Sequence, residues 1–178
     1  SPMSRGLGDV YKRQEQHLNT FKVNSEGLMA TTHAFLDDLI NSKEAFLVNI
    51  ASASAFIGLP YGSSYAASKW AVVGFSESLR LELAVRKIKH VHVTSVCPSY
   101  ISTGMFDGVK TPLFSPMLTP KKVVSSIIKG MQKKDAFVIE PPMAKSVELL
   151  KAVLPQGIWD EVARRTGVST SMYSWKGK

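Results

Sequence analysis

The sequence predicts an α/β fold, a doubly wound parallel sheet with helices on both faces. Three observations predict it. Short apolar or β-branched runs alternate with longer segments of helical periodicity, glycine and proline bound the runs, and the connections are long enough to be crossover helices. In sheets of this kind ligands bind beyond the carboxyl ends of the strands.

Leu18, Phe21, Leu28, Phe35 and Leu39 fall at helical spacing and predict one long helix over about 15–41. AFLVNIAS, residues 45–52, is a nearly continuous apolar run, the pattern of a strand buried on both faces. Gly58, Pro60 and Gly62 then punctuate a loop. Ala67, Ala71, Phe75, Leu79 and Leu83 predict a second helix over 64–86, and VHVTSVCP, residues 91–98, alternates and stops at proline as a second strand. After a stretch rich in glycine, proline and phenylalanine (104–120), Thr119 suits the N-cap and Pro120 the first position of a third helix. AFVIEP (136–141) is a third strand, and the tail reads as two helices divided at Pro155.

Composition narrows the class. The chain has 178 residues, 44% hydrophobic and 20% charged, which fits one globular domain. No apolar run approaches the roughly 20 residues of a spanning helix, and the start lacks the order of a signal peptide, so a cytoplasmic location is expected. The lone Cys97 reads as a buried strand residue, and His17, His33, His90 and His92 show no metal-ligand clustering, so no metal is expected. Of the net charge of +8, residues 107–178 carry +6, from 12 Lys/Arg against 6 Asp/Glu. Lys121, Lys122, Lys129, Lys133 and Lys134 fit the solvated side of an amphipathic helix without aromatic interleaving, so no nucleic-acid partner is expected, and peripheral membrane contact is the lesser reading.

SSYAASKW, residues 63–70, carries the chemistry. Four residues advance a helix slightly more than one turn, so the Tyr65 phenol and the Lys69 ammonium lie on one face. Ser52 ends the first strand, and Pro98 to Thr103 leave the end of the second, so three segments converge on one crevice. Each residue alone has a plainer reading: a helix-surface pair, a strand-end hydroxyl, a turn threonine, and for Asn24 a polar interruption of a helix.

Taken together, these motifs resemble the short-chain dehydrogenase/reductase family over about residues 15–178, loosely its retinol, hydroxysteroid and long-chain alcohol dehydrogenase branch. The family's Y-x-x-x-K matches Tyr65 and Lys69; its serine, thirteen positions earlier, falls on Ser52; its asparagine falls on Asn24 in VNSEG. Its P-G-x-x-x-T segment is matched by PSYIST, Pro98 to Thr103, with Ser99 in place of the usual glycine. The resemblance implies a Rossmann-type sheet and an NAD(P)-dependent oxidoreductase, an alcohol dehydrogenase or carbonyl reductase, using NAD or NADP on a small-molecule, lipophilic alcohol or carbonyl. Phe106, Leu113, Phe114, Met117 and Leu118 read equally as an apolar lid over such a substrate and as ordinary packing of a loop and short helix. The resemblance also implies Asn24, Ser52, Tyr65 and Lys69 as catalytic residues, and Tyr65, Lys69, Pro98, Ser99, Ile101 and Thr103 at the cofactor. Tyr65 would move the proton; a free phenol titrates near ~10, and the Lys69 ammonium would favour its ionised form. Lys69 would also hold the nicotinamide ribose, Ser52 the substrate oxygen, Asn24 a water feeding Lys69, and Thr103 with the backbone near Ile101 the carboxamide. The family's helix contacts imply a homodimer or homotetramer.

The front departs from the family. No glycine-rich T-G-x-x-x-G-x-G turn, ribose selector or N-A-G segment is present; Gly6 and Gly8 follow no apolar strand. Residues 1–14 are expected to be a non-native leader on a partial domain, 15–178, whose first βαβ half is missing. Taken by itself, the chain is therefore expected to be inactive. The alternative reading is a non-catalytic truncated remnant or basic binding module that keeps only the scaffold.

Overall fold

The computed structural model describes residues 14–113 and 115–175; residues 1–13, on which most of the expected leader falls, Phe114 and the last three residues lie outside the described residues. Helix α1 (Gln14–Phe21) runs through a π-helical turn (Lys22–Glu26) into α2 (Gly27–Asn41). Strand β1 (Ala45–Ile50) leads through a 3₁₀ turn (Ala53–Ala55) to α3 (Ser63–Val85), and β2 (Val91–Pro98) leads to α4 (Pro120–Lys133) and β3 (Phe137–Glu140). Two short helices follow, α5 (Ala144–Val153) and α6 (Gln156–Arg165).

The three strands form one parallel sheet in the order β1-β2-β3, with Ala45 opposite Val91 and Val96 opposite Val138. Each connection is a crossover helix, as parallel pairing requires. Side chains alternate across the sheet. One face, with Ala45, Val91, Val93 and Cys97, packs against α3 through Val72, Val73 and Leu83, with Leu28 and Leu39 of α2 alongside. The other face meets α4, where Gly130 lies so close to Val138 that a side chain at 130 would collide with it. Helices thus cover both faces, as expected from the alternation of elements.

Thr119 caps α4 as its position suggests, accepting from the Lys122 amide at 3.3 Å with Pro120 behind it. The lysines of α4 are exposed; Lys134 pairs with Glu44 at 2.6 Å and Lys122 approaches Glu140 at 3.7 Å. The expectation that residues 45–52 form a strand buried on both faces needs correction. The strand ends at Ile50, which is 46% exposed, and Phe46, Leu47 and Val48 are only half-buried. The reason is position: among the described residues β1 is an edge strand, paired with β2 alone. No described helix is long and apolar enough to cross a membrane, and no described cluster of His, Cys, Asp or Glu could hold a metal.

Candidate active site

Two residues past β1 the chain turns at Ser52, which is extended and buried and caps the 3₁₀ turn, its Oγ accepting from the Ser54 amide at 3.2 Å. The same hydroxyl reaches toward the Pro98 carbonyl at the end of β2, at 3.5 Å. Tyr65, in the first turn of α3, is half-buried and hydrogen-bonds with the Ser52 side chain. One helical turn further, Lys69 places Nζ 5.8 Å from the centroid of the Tyr65 ring and donates to the Ile50 carbonyl at 2.9 Å. Helix geometry stacks Tyr65 on Lys69, and the strand end delivers Ser52 to them.

Burial pushes the Tyr65 phenol above its ordinary value, and the Ser52 hydrogen bond partly offsets this. Burial likewise lowers Lys69, against a smaller opposite pull from Cys97. The Ser52 hydrogen bond draws Tyr65 down in this arrangement, and the Lys69 ammonium lies over the ring. Tyr65 is therefore a neutral phenol at neutral pH, able to donate a proton. The Cys97 thiol, fully buried, is pushed up to about 12, chiefly by burial, and is inert, in keeping with a strand residue.

Asn24 lies in the π-helical turn. Its Nδ2 donates to the Ser68 Oγ at 3.0 Å, the Ser68 Oγ donates to the Tyr65 carbonyl at 2.7 Å, and the Ser25 Oγ donates to the Ser68 carbonyl at 3.0 Å. Ser68, fully buried, thus fastens the widened helix to the turn of α3 that carries Tyr65. Widened turns of this kind recur at functional sites. Among the described residues no hydrogen bond joins Asn24 to Lys69; Asn24 instead reaches the Tyr65 carbonyl through Ser68, a residue that sequence reasoning did not single out. Its signal was a serine between Tyr65 and Lys69 in a helix otherwise rich in alanine.

Beyond Pro98, the Ser99 amide donates to the Glu140 carbonyl at 2.7 Å and its hydroxyl pairs with that of Ser115 at 2.8 Å. Ile101 forms a parallel bridge with Leu118, flanked by Leu118 N to Tyr100 O at 2.8 Å and Ser102 N to Leu118 O at 2.9 Å. Thr103 is exposed. Ser52, Tyr65 and Ser99 therefore face one space, whereas Ile101 and Thr103 lie outside its wall.

That space is a cavity of about 510 Å³ with a largely apolar wall. Met143, Val147 and Leu150 of the α5 region and Trp159 and Val162 of α6 line it. The expected lid is corrected in part. Phe106 and Leu113 line the cavity, but Met117 does not, and Leu118 is buried instead as the clasp of residues 100–102. The tail closes the rear: Ser171 pairs with the Tyr100 hydroxyl at 2.8 Å, and the Trp175 indole donates to the Met105 carbonyl at 3.0 Å.

A parallel sheet that delivers a serine, a tyrosine and a lysine four residues on to the carboxyl ends of its strands has clear relatives. The family described as short chain dehydrogenase matches residues 9–113, and the chain belongs to that family. It is 33% identical over 172 residues to short-chain dehydrogenase/reductase family 16C member 6 of Bos taurus, covering 94% of this chain and 54% of that protein. It is 36% identical over 138 residues to epidermal retinol dehydrogenase 2 of Homo sapiens, covering 76% and 45%. Among solved structures, a short chain dehydrogenase from Burkholderia cenocepacia J2315 in complex with NADP superimposes with a TM-score of 0.73 at 25% identity, over 88% of this chain and 63% of that one. The chain spans about half the length of the curated relatives it matches.

Proposed function

We propose that residues 15–178 carry the catalytic and substrate-binding part of an NAD(P)-dependent oxidoreductase that interconverts a lipophilic alcohol and its carbonyl. The observation that carries this reading is the placement of the Ser52–Tyr65 pair, backed by Lys69, in the wall of an apolar cavity of about 510 Å³. A cavity of that size takes a drug-sized apolar molecule and leaves few polar groups to orient it. Epidermal retinol dehydrogenase 2, a relative by sequence, is named for an alcohol.

Tyr65 is the acid and base. In reduction its neutral phenol donates to the carbonyl oxygen; in oxidation the ionised form takes the alcohol proton. Ser52, with its hydroxyl already at Tyr65, holds the same oxygen as charge develops on it. Asn24 acts at one remove, through Ser68 and the Tyr65 carbonyl.

The residues fit the nicotinamide end of NAD or NADP. The Lys69 ammonium is partly desolvated and spends one of its three donors on Ile50 among the described residues, leaving two for ribose hydroxyls beside the phenol. Lys69, Tyr65, Pro98, Ser99, Ile101 and Thr103 would hold that end, and the cofactor supplies or accepts the hydride. For assembly, the outward residues Leu18 and Phe21 of α1 with Ala67 and Gly74 of α3 form a close-approach surface suited to a homodimer or homotetramer.

The test is Tyr65→Phe in the protein expressed from its complete reading frame. Turnover is expected to disappear while cofactor affinity stays largely unchanged. Retention of more than a tenth of the rate, a loss of only ~1.4 kcal/mol of barrier, would assign the proton to another group.

A further inference from the structure

Ser52 sits in a short turn that is held from outside by two side chains. Trp70, next to Lys69 on α3, is 47% exposed, yet its Nε1 donates to the Ser54 carbonyl at 2.6 Å. Lys151, on α5, donates from Nζ to the Phe56 carbonyl at 3.1 Å and lies 4.8 Å from the centroid of the Trp70 ring. Within the turn, the Ser54 amide donates to the Ser52 Oγ at 3.2 Å and the Ala55 amide to the Ser52 carbonyl at 2.9 Å. A single 3₁₀ turn has weak internal geometry. The outside bonds on residues 54 and 56 therefore bear directly on where the Ser52 hydroxyl points.

The position of Lys151 adds a second link. No residue of α5 is fully buried, and Val147 and Leu150 of the same helix line the cavity. One ammonium thus ties the helix that walls the cavity to the turn that carries the serine, and lies over the indole of α3 that holds the same turn. A cation over an aromatic face is attractive in itself, and here the same charge strengthens a hydrogen bond to a backbone carbonyl.

We infer that Trp70 and Lys151 are positioning residues that set the orientation of the Ser52 hydroxyl toward the reacting oxygen. The inference rests on the oxidoreductase reading above, in which Ser52 holds that oxygen. Neither side chain touches substrate; both act through the turn. Misplacement by about 1 Å at such a group is enough for a large loss of rate.

The experiment is a set of double-mutant cycles on the protein from its complete reading frame. Trp70→Phe keeps a ring and removes the N–H; Lys151→Met keeps the stem and removes the charge; Lys151→Arg keeps both a donor and a cation. Trp70→Phe and Lys151→Met are each expected to lower kcat about tenfold with the cofactor KM unchanged, and Lys151→Arg to retain most of the rate. In a Ser52→Ala background, itself down roughly a hundredfold, the same two substitutions should change kcat by less than about twofold, because no hydroxyl remains to be aimed. Equal losses in both backgrounds, or no loss where Ser52 is present, would overturn the inference and leave the role of Ser52 standing. An undiminished Ser52→Ala enzyme would instead remove the underlying reading, and this inference with it. If Lys151→Met does not fold, the Trp70→Phe cycle decides by the same criterion.

Discussion

The two sides of the sheet differ in how completely they are walled. On the β3 side, α5, α6 and the tail enclose an apolar cavity, and the Glu140 carbonyl fixes the Ser99 amide. On the β1 side, Ile50 is 46% exposed, Phe46 and Val48 are half-buried, and the Lys69 ammonium takes the terminal carbonyl of the strand. Tyr65 and Ser52 lie between. The difference teaches that this chain walls an apolar cavity with its own elements on one side and, among the described residues, leaves the strand on the other side open. In the proposed function the first is the substrate chamber and the second adjoins the nicotinamide end of the cofactor.

The comparison breaks most readily inside the cavity. Val147→Asp places an unpaired carboxylate in the apolar wall, where charge is strongly disfavoured. Binding of a long-chain aliphatic alcohol, followed by calorimetry, should weaken more than about a hundredfold, or ~3 kcal/mol, without change in the Tyr65–Ser52 pair. Unchanged affinity would show that the chamber is not where such molecules bind.

A smaller effect sharpens the electrostatics. In the proposed mechanism alcohol oxidation needs Tyr65 ionised, and burial raises the phenol, so the oxidation rate should climb with pH into the alkaline range while carbonyl reduction, which would use the neutral phenol, stays flat through neutrality. Ser52 provides the hydrogen bond that draws the phenol down. In Ser52→Ala the oxidation limb should therefore move to higher pH, as read from the pH–rate profile. A limb that moves down or stays put contradicts this assignment.

The smallest expected change is in Asn24→Ala. Loss of the bond to the buried Ser68 should cost about 1 kcal/mol, a fall in Tm of a few degrees by calorimetry. An unaltered melting temperature would mean that the π-helical turn holds without it.

How much of this was legible in the sequence depended on whether the controlling interaction is local. Tyr65 and Lys69 face one way because helix geometry requires it, and Thr119 with Pro120 is a local stop-and-start signal; both were readable. The π-helical turn was not, because it has no side-chain cap and is held by bonds from Asn24 and Ser25 to a residue more than forty positions away. The periodicity that predicts α3 does not by itself show which residues turn inward, for a related reason. Ala67 is exposed, and the buried positions include Ser68 and Ser76, the latter accepting from Asn49 at 2.9 Å. A serine satisfied by a distant partner looks polar in a pattern and behaves as core. The cavity wall escaped notice because QGIWDEVARR reads as an amphipathic surface helix, although Trp159 turns inward, buried to 7% exposure.

The asymmetry between the two sides is tested most directly by titrating this chain calorimetrically, first with NADH and NADPH and then with a long-chain aliphatic alcohol. A phosphate-bearing cofactor draws much of its affinity from glycine-rich backbone at a helix N-terminus, and remote binding of that kind is what positions the reacting end. The account predicts saturable binding of the alcohol that Val147→Asp abolishes, and affinity weaker than micromolar for either nucleotide. Micromolar binding of NADH or NADPH, or failure of the alcohol to bind at all, would contradict it.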